Sequence, residues 1–203
     1  MLLAVPFGLA IGVAVGMLGG GGSVLAVPVL VYVLGQSVSE ATTASLVVVT
    51  AGAVAGGLGH ARAGRVCWRH AGSFTMAAVP GLVAGVMVGF LTGFFGVGGG
   101  FLIVPTLAIA LAFTMRTAVG TSLAVITATS LIGLAVHLLA GRSLEVGVTT
   151  AMTGACVVGA LAGAGLATHV PQRTLGRAFA LLVCCVAAYL LVSAAFLGGP
   201  PTS

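Results

Sequence analysis

The chemistry of this chain rests on a few residue types set at two matching series of positions. A glycine run ending in serine, Gly19-Gly20-Gly21-Gly22-Ser23, is answered by Gly96-Val97-Gly98-Gly99-Gly100. Hydroxyls stand at Thr43 and Ser45 and again at Thr121 and Ser122, His60 is answered by His137, and Arg65 by Arg142. Consecutive glycines let a chain turn sharply, and a helix that starts at such a turn presents unpaired N–H groups and a dipole end worth roughly half a positive charge. Such an end attracts anions. Hydroxyls donate to an oxyanion without burying a charge, although in membrane helices they also bond back to their own carbonyls. Gly21, Gly22, Ser23, Gly98, Gly99 and Gly100, with Thr43, Ser45, Thr121 and Ser122, are therefore the expected substrate contacts. His60, His137, Arg65 and Arg142 are candidates for gating or proton relay; both histidines close apolar segments, where interfacial water offers a plainer explanation.

Enzyme chemistry finds little to work with. Asp is absent, Glu40 and Glu145 sit at loop ends, and no histidine pair has metal-ligand spacing. Gly22-Ser23-Val24 is not the Gly-x-Ser-Gly of an intramembrane serine protease, and a proton pump built on a buried carboxylate is disfavoured by the same shortage. Cys67, Cys156, Cys184 and Cys185 lack metal spacing and read as small apolar residues. No catalysis, metal, cofactor or prosthetic group is expected. What remains is amide, hydroxyl, imidazole and guanidinium, a set suited to a small anion.

These residues are positioned by apolar segments. Of 203 residues, 60% are hydrophobic and 4% charged, where a soluble domain needs about a quarter charged to meet water. A membrane protein follows, with the lipid bilayer as its solvent. The runs are long and continuous rather than alternating, so the fold class expected is all-α, a single polytopic membrane domain over 1–203. The net charge of +5 would suggest nucleic acid in a soluble chain, but seven arginines spread over short gaps read as topology signals. No nucleic-acid partner is expected. The opening MLLAVPFGLAIGVAVG has no positive charge ahead of its apolar run and is expected to be a retained first helix.

Apolar runs fall at about 2–18, 24–35, 41–60, 71–93, 101–113, 117–140, 146–169 and 174–197, which makes eight transmembrane or half-membrane helices. Two runs, 24–35 and 101–113, are too short to span about 30 Å of hydrocarbon, and each follows a glycine cluster and carries a proline, Pro28 or Pro105. Shifting the chain by 77 residues without a gap pairs Gly12 with Gly89, Pro28 with Pro105, Ser45 with Ser122, Thr50 with Thr127, His60 with His137 and Arg65 with Arg142. This is an internal duplication, about 4–70 and 81–147, followed by a helical pair over about 146–197. Each copy holds three segments, so the second should enter the membrane from the opposite side. Charge agrees: alternation puts Arg62, Arg65, Arg69, Arg116, Arg173 and Arg177 inside and only Arg142 outside. An inverted repeat with one broken helix per copy is how many secondary transporters build a central site. Gly12, Gly16, Gly52, Gly56, Gly81, Gly85 and Gly89, at small-xxx-small spacing, are expected simply to let helices pack closely.

The repeated glycine motif with its following Pro-x-Leu, at Gly12 to Leu30 and Gly93 to Leu107, together with Ala118-Val-Gly-Thr-Ser-Leu123, resembles the sulfite exporter TauE/SafE family. The likeness covers nearly the whole chain. It implies a multi-pass inner-membrane permease that exports sulfite, an organosulfonate or a related small sulfur-containing anion. The first copy departs from the pattern, with Thr43-Ala44-Ser45-Leu46 where the second has Gly-Thr-Ser-Leu, and Ser23 where the second has Gly100. A homo-oligomer is compatible with the sequence. The alternative class is a membrane scaffold or assembly subunit that transports nothing.

Overall fold

A computed structural model describes residues 4–68, 104, 114–140, 145–171, 173–178, 180, 181, 184, 185 and 188. Among them the chain is all helical. Helix α1 spans Ala4–Leu18, a 3-10 helix Gly19–Leu25, a single turn α2 Ala26–Pro28, a π-helical turn Val29–Val33, α3 Val38–Arg62, α4 Met115–Leu139 and α5 Val146–Leu166. Three of these, α3, α4 and α5, are long and apolar enough to cross a membrane, and α1 is a shorter apolar helix. The expected segment 71–93, all of 101–113 except Val104, and most of 174–197 lie outside the described residues, as do Gly98, Gly99, Gly100 and Arg142.

Local signals set the bounds of the long helices. Ser37 caps α3 in a reciprocal capping box with Glu40, and Thr114 caps α4 by accepting the Thr117 N–H. At the far end of α3 the chain closes in a Schellman turn: Gly64 has φ +68°, its N–H reaches the Ala61 carbonyl, and the Arg65 N–H reaches the His60 carbonyl. Both α3 and α4 have 25 residues, and every bound and cap of the second lies 77 positions after that of the first. Their interior bonds repeat too. Ser45 Oγ donates to the Thr42 carbonyl as Ser122 Oγ does to Val119, and Thr50 donates to Leu46 as Thr127 does to Leu123.

Close approaches at glycines give the helix directions. A side chain added at Gly12 would lie 2.2 Å from the Cys156 carbonyl oxygen, and one at Gly16 would lie 2.2 Å from that of Ala160, so α1 and α5 run parallel with backbone against backbone. Gly52 faces Cys156 and Gly59 faces Ala164, which makes α3 parallel to α5 as well. Helix α4 is antiparallel to α3, since Gly57 meets Leu123 while Gly133 meets Leu46. One end of the bundle therefore gathers the ends of α1, α3 and α5 and the start of α4. Arg62, Arg65 and Arg116 lie there, and Arg173 and Arg177 follow the end of α5. Arg116 ties this end together by donating from Nη2 to the Thr168 and Val170 carbonyls at 3.1 and 3.0 Å.

Because α1 and α3 are parallel, the chain between them must return along the bundle. The reversal is made at Gly19, which has φ +70°, a region that only glycine enters freely. Gly22 then lies against α1: a side chain there would be 2.5 Å from the Val15 nitrogen. The returning helix thus begins at Gly19 as a 3-10 turn, ahead of the apolar run expected from about 24, because the reversal takes its positive φ at the first glycine of the run.

The α1/α5 seam should be intolerant of bulk. Gly12→Val should force the backbones apart and lower stability by about 1 to 3 kcal/mol, the usual cost of overpacking. Gly154→Ala, with nothing within 4 Å, should be neutral or gain up to about 1 kcal/mol of helix propensity. Thermal unfolding of the detergent-solubilised chain would compare the two.

Candidate functional site

Four buried polar residues, Ser23, His60, Thr121 and Ser122, lie near where α1 ends, α3 ends and α4 begins. Gly19 sits directly on Ser122: a side chain at Gly19 would lie 2.6 Å from Ser122 Oγ and 3.2 Å from Val104. Ser122 is seven residues into α4, so this contact lies about 10 Å along the helix from its start at about 1.5 Å per residue. The glycine turn of the first copy is therefore seated on the hydroxyl turn of the second, inside the bundle. Ser23 Oγ donates to the Gly20 carbonyl at 2.6 Å, and Gly21 and Gly22 belong to the same 3-10 turn.

Beside this contact stands His60, fully buried, with Nε2 2.9 Å from the Gly16 carbonyl oxygen. The Schellman turn brings Arg65 back over His60, and the loop continues to Cys67, whose N–H donates to Thr121 Oγ1 at 3.2 Å. Gly120 admits this loop, because a side chain there would lie 2.6 Å from the Arg65 carbonyl oxygen and 3.3 Å from the His60 Cβ. Among the described residues, shielded His60 Nδ1 and Arg65 Nη1 have no hydrogen-bond partner. Gly16, Gly19, Cys67 and Gly120 thus join the site without having been singled out as contacts. Gly120 had a signal, as the first residue of Gly-Thr-Ser-Leu; the Gly16 carbonyl and the Cys67 amide had none, since backbone groups leave no mark in a sequence.

The other candidates lie at the opposite end of the α3/α4 pair. Thr43 Oγ1 is within hydrogen-bond reach of the Ser39 carbonyl and is 3.1 Å from His137 Nδ1. The single hydroxyl hydrogen is shared between these two neighbours, and the tautomer of His137 sets which of them receives it. Ser45 Oγ bonds back to Thr42. Seventeen residues of α3 separate Thr43 from His60, about 25 Å at about 1.5 Å per residue, so the two histidines do not form one relay. Gln36 links this end to α5 through a 3.0 Å bond from Nε2 to Glu145. Among the described residues a groove of about 670 Å³ is lined by Leu18, Leu25, Thr174, Arg177, Ala178 and Leu181, but it is too apolar to compete with the polar cluster.

Two substitutions probe the joint. Gly19→Ala should destabilise the protein by about 1 to 2 kcal/mol through its positive φ alone, and by more through the clash with Ser122. Adding Ser122→Ala should restore only the clash part, as read from melting of the single and double variants. Thr121→Val should cost about 1 to 3 kcal/mol by leaving the Cys67 N–H without an acceptor.

Comparison with known proteins finds membrane transporters. The chain is 31% identical to a probable membrane transporter protein of Xylella fastidiosa, strain 9a5c, over 252 aligned residues covering 94% of this chain and 95% of the relative. It is 36% identical to a probable membrane transporter protein of Bacillus subtilis over 34% of this chain and 26% of that protein. A third, from Methanocaldococcus jannaschii and described in the same words, is 46% identical over 30% of this chain and 22% of its own length. No solved structure matches the chain. The sulfite exporter TauE/SafE family model matches residues 4–88 and 82–190, and on that extent the chain belongs to this family of membrane transporters.

Proposed function

We propose that the chain is a multi-pass permease of the inner membrane, not an enzyme, that exports sulfite, an organosulfonate or a related small sulfur-containing anion. The observation that carries this reading is the seating of the Gly19 turn on Ser122, which joins the two copies at a buried polar cluster. Gly21, Gly22, Ser23, Thr121 and Ser122 would face the anion on this side. Gly98, Gly99 and Gly100, with Thr43 and Ser45, would do so in the other copy, and Arg65 and Arg142 would recruit anions at the two mouths.

Alternating access needs two related halves of opposite orientation, and the α3/α4 pair supports that. A side chain at Gly56 would lie 3.5 Å from Leu123, and one at Gly133 would lie 3.5 Å from Leu46; a shift of 77 exchanges one pair for the other. The same shift exchanges the His60 and Gly120 contact for that of His137 and Thr43. A local two-fold axis across the pair accounts for both. The arginine-bearing end would be cytoplasmic by the positive-inside rule.

Export needs no coupling ion on this reading. An inside-negative potential of about 100 mV is worth about 2.3 kcal/mol to a departing monovalent anion, enough for a roughly fiftyfold gradient at about 1.4 kcal/mol per decade. Proteoliposomes holding the purified chain should release sulfite faster than protein-free ones, and release should slow when the potential is clamped to zero. No flux of sulfite, thiosulfate or any sulfonate would sink the substrate assignment and favour a scaffold. Single cysteines beside Arg65 and beside Arg142, in a chain stripped of its own, should be labelled from opposite faces; labelling from one face would end the inverted arrangement.

A further inference from the structure

The two unpartnered nitrogens of the joint differ in what they lack. His60 is 1% exposed, and its Nε2 meets a carbonyl oxygen, which only accepts, so Nε2 carries the ring hydrogen. In a neutral imidazole Nδ1 is then a bare lone pair, and no donor among the described residues reaches it. Arg65 Nη1 is the reverse, a shielded donor without an acceptor. The two residues meet at Gly120, where an added side chain would touch the Arg65 backbone and the His60 Cβ together. Buried polar groups left in this state are costly, and a ligand that offered both an acceptor and a donor would satisfy the pair. A fully deprotonated anion offers only lone pairs: it would satisfy Arg65 and oppose Nδ1. An imidazolium would remove that conflict, but it would be a second positive charge near Arg65 at an end of the bundle that already carries Arg62 and Arg116. The described residues of α1, α4 and α5 at this end bring no carboxylate, since Glu40 and Glu145 belong to the other end.

We propose that His60 and Arg65 form a subsite for a small oxyanion in its singly protonated form, one oxygen accepting from Arg65 Nη1 and the remaining O–H donating to His60 Nδ1. This rests on the transport reading and narrows it. At neutral pH hydrogen sulfite carries an acidic hydrogen, whereas an organosulfonate has none, so the subsite favours the first of the two candidate substrates.

The test uses the full chain in proteoliposomes at one neutral pH, with labelled sulfite and labelled methanesulfonate. The wild type should carry sulfite at least about tenfold better, the value of one good hydrogen bond to the ligand. His60→Gln keeps a donor for Gly16 and an acceptor for the ligand, and should retain the preference. His60→Leu has neither and should bring the two anions to within about twofold, while Arg65→Gln should weaken both about tenfold or more. Equal transport of the two anions by the wild type would overturn the subsite and leave anion transport standing. A preference that survives His60→Leu would mean that the cluster holds only water, and would overturn it as well. If His60→Leu does not insert, loss of the preference in His60→Gln would count against the proposal by itself. Absence of flux for either anion in the wild type would remove the transport reading, and the subsite with it.

Discussion

In a bundle whose surroundings are hydrocarbon, every backbone polar group must find its partner inside the protein, and this governs where the chain can reverse. The connection from α1 to α3 returns through the bundle, so it cannot open into an irregular loop. It stays helical from Gly19 to Val33, as a 3-10 turn, an α turn and a π turn in succession, with the positive-φ glycines Gly19 and Gly35 near its two ends. The absence of side chains at Gly12, Gly16 and Gly22 then lets α5 and the returning helix press on the backbone of α1. Backbone-to-backbone contact replaces the side-chain interlocking of a soluble core. A buried seam of this kind is held by close packing rather than by expulsion of water, because lipid tails are as apolar as leucine.

That constraint decides where polar groups can go. With α1, α3 and α5 parallel and α4 reversed, the end of α3 is carried against the beginning of α4. His60 thereby meets Gly120 and His137 meets Thr43. The two histidines stand in one register 77 residues apart but differ in partner. A carbonyl of α1 takes the hydrogen from Nε2 of His60, while Nδ1 of His137 faces the Thr43 hydroxyl. One substitution between the copies, threonine at 43 for glycine at 120, is enough to separate them. At 43 a hydroxyl reaches the imidazole; at 120 the empty place admits the Arg65 loop instead. The copies have kept their shape and diverged in chemistry.

Much of the architecture was legible in the residues themselves. Apolar runs with almost no charge required membrane helices, the 77-residue register required a duplicated unit, and the structure returns α3 and α4 with matching bounds and caps. The relative directions of α1, α3, α4 and α5 are also those that alternating crossings demand. These features follow from periodicity, composition and local capping, all of which act over a few residues and so are written in the order of the chain. The grouping of candidate residues followed a different rule. Ser122 was marked, yet that Gly19 rests on it is a matter of how two helices are offset; Thr43 and Ser45, marked for the same reason as Ser122, lie some 20 Å away by helix rise.

What the sequence determined by itself, then, was that the chain is a helical membrane protein with a 77-residue register in its residues and an anion-compatible set of polar groups. Tertiary structure alone decided which of those groups meet. His60 acquires its tautomer from a glycine carbonyl 44 residues earlier, and Thr121 its donor from an amide 54 residues earlier. Backbone carbonyls and amides are common to every residue, so no spacing of side-chain types announces them. They become specific only when helix packing places one of them, and not its neighbours, within hydrogen-bond reach.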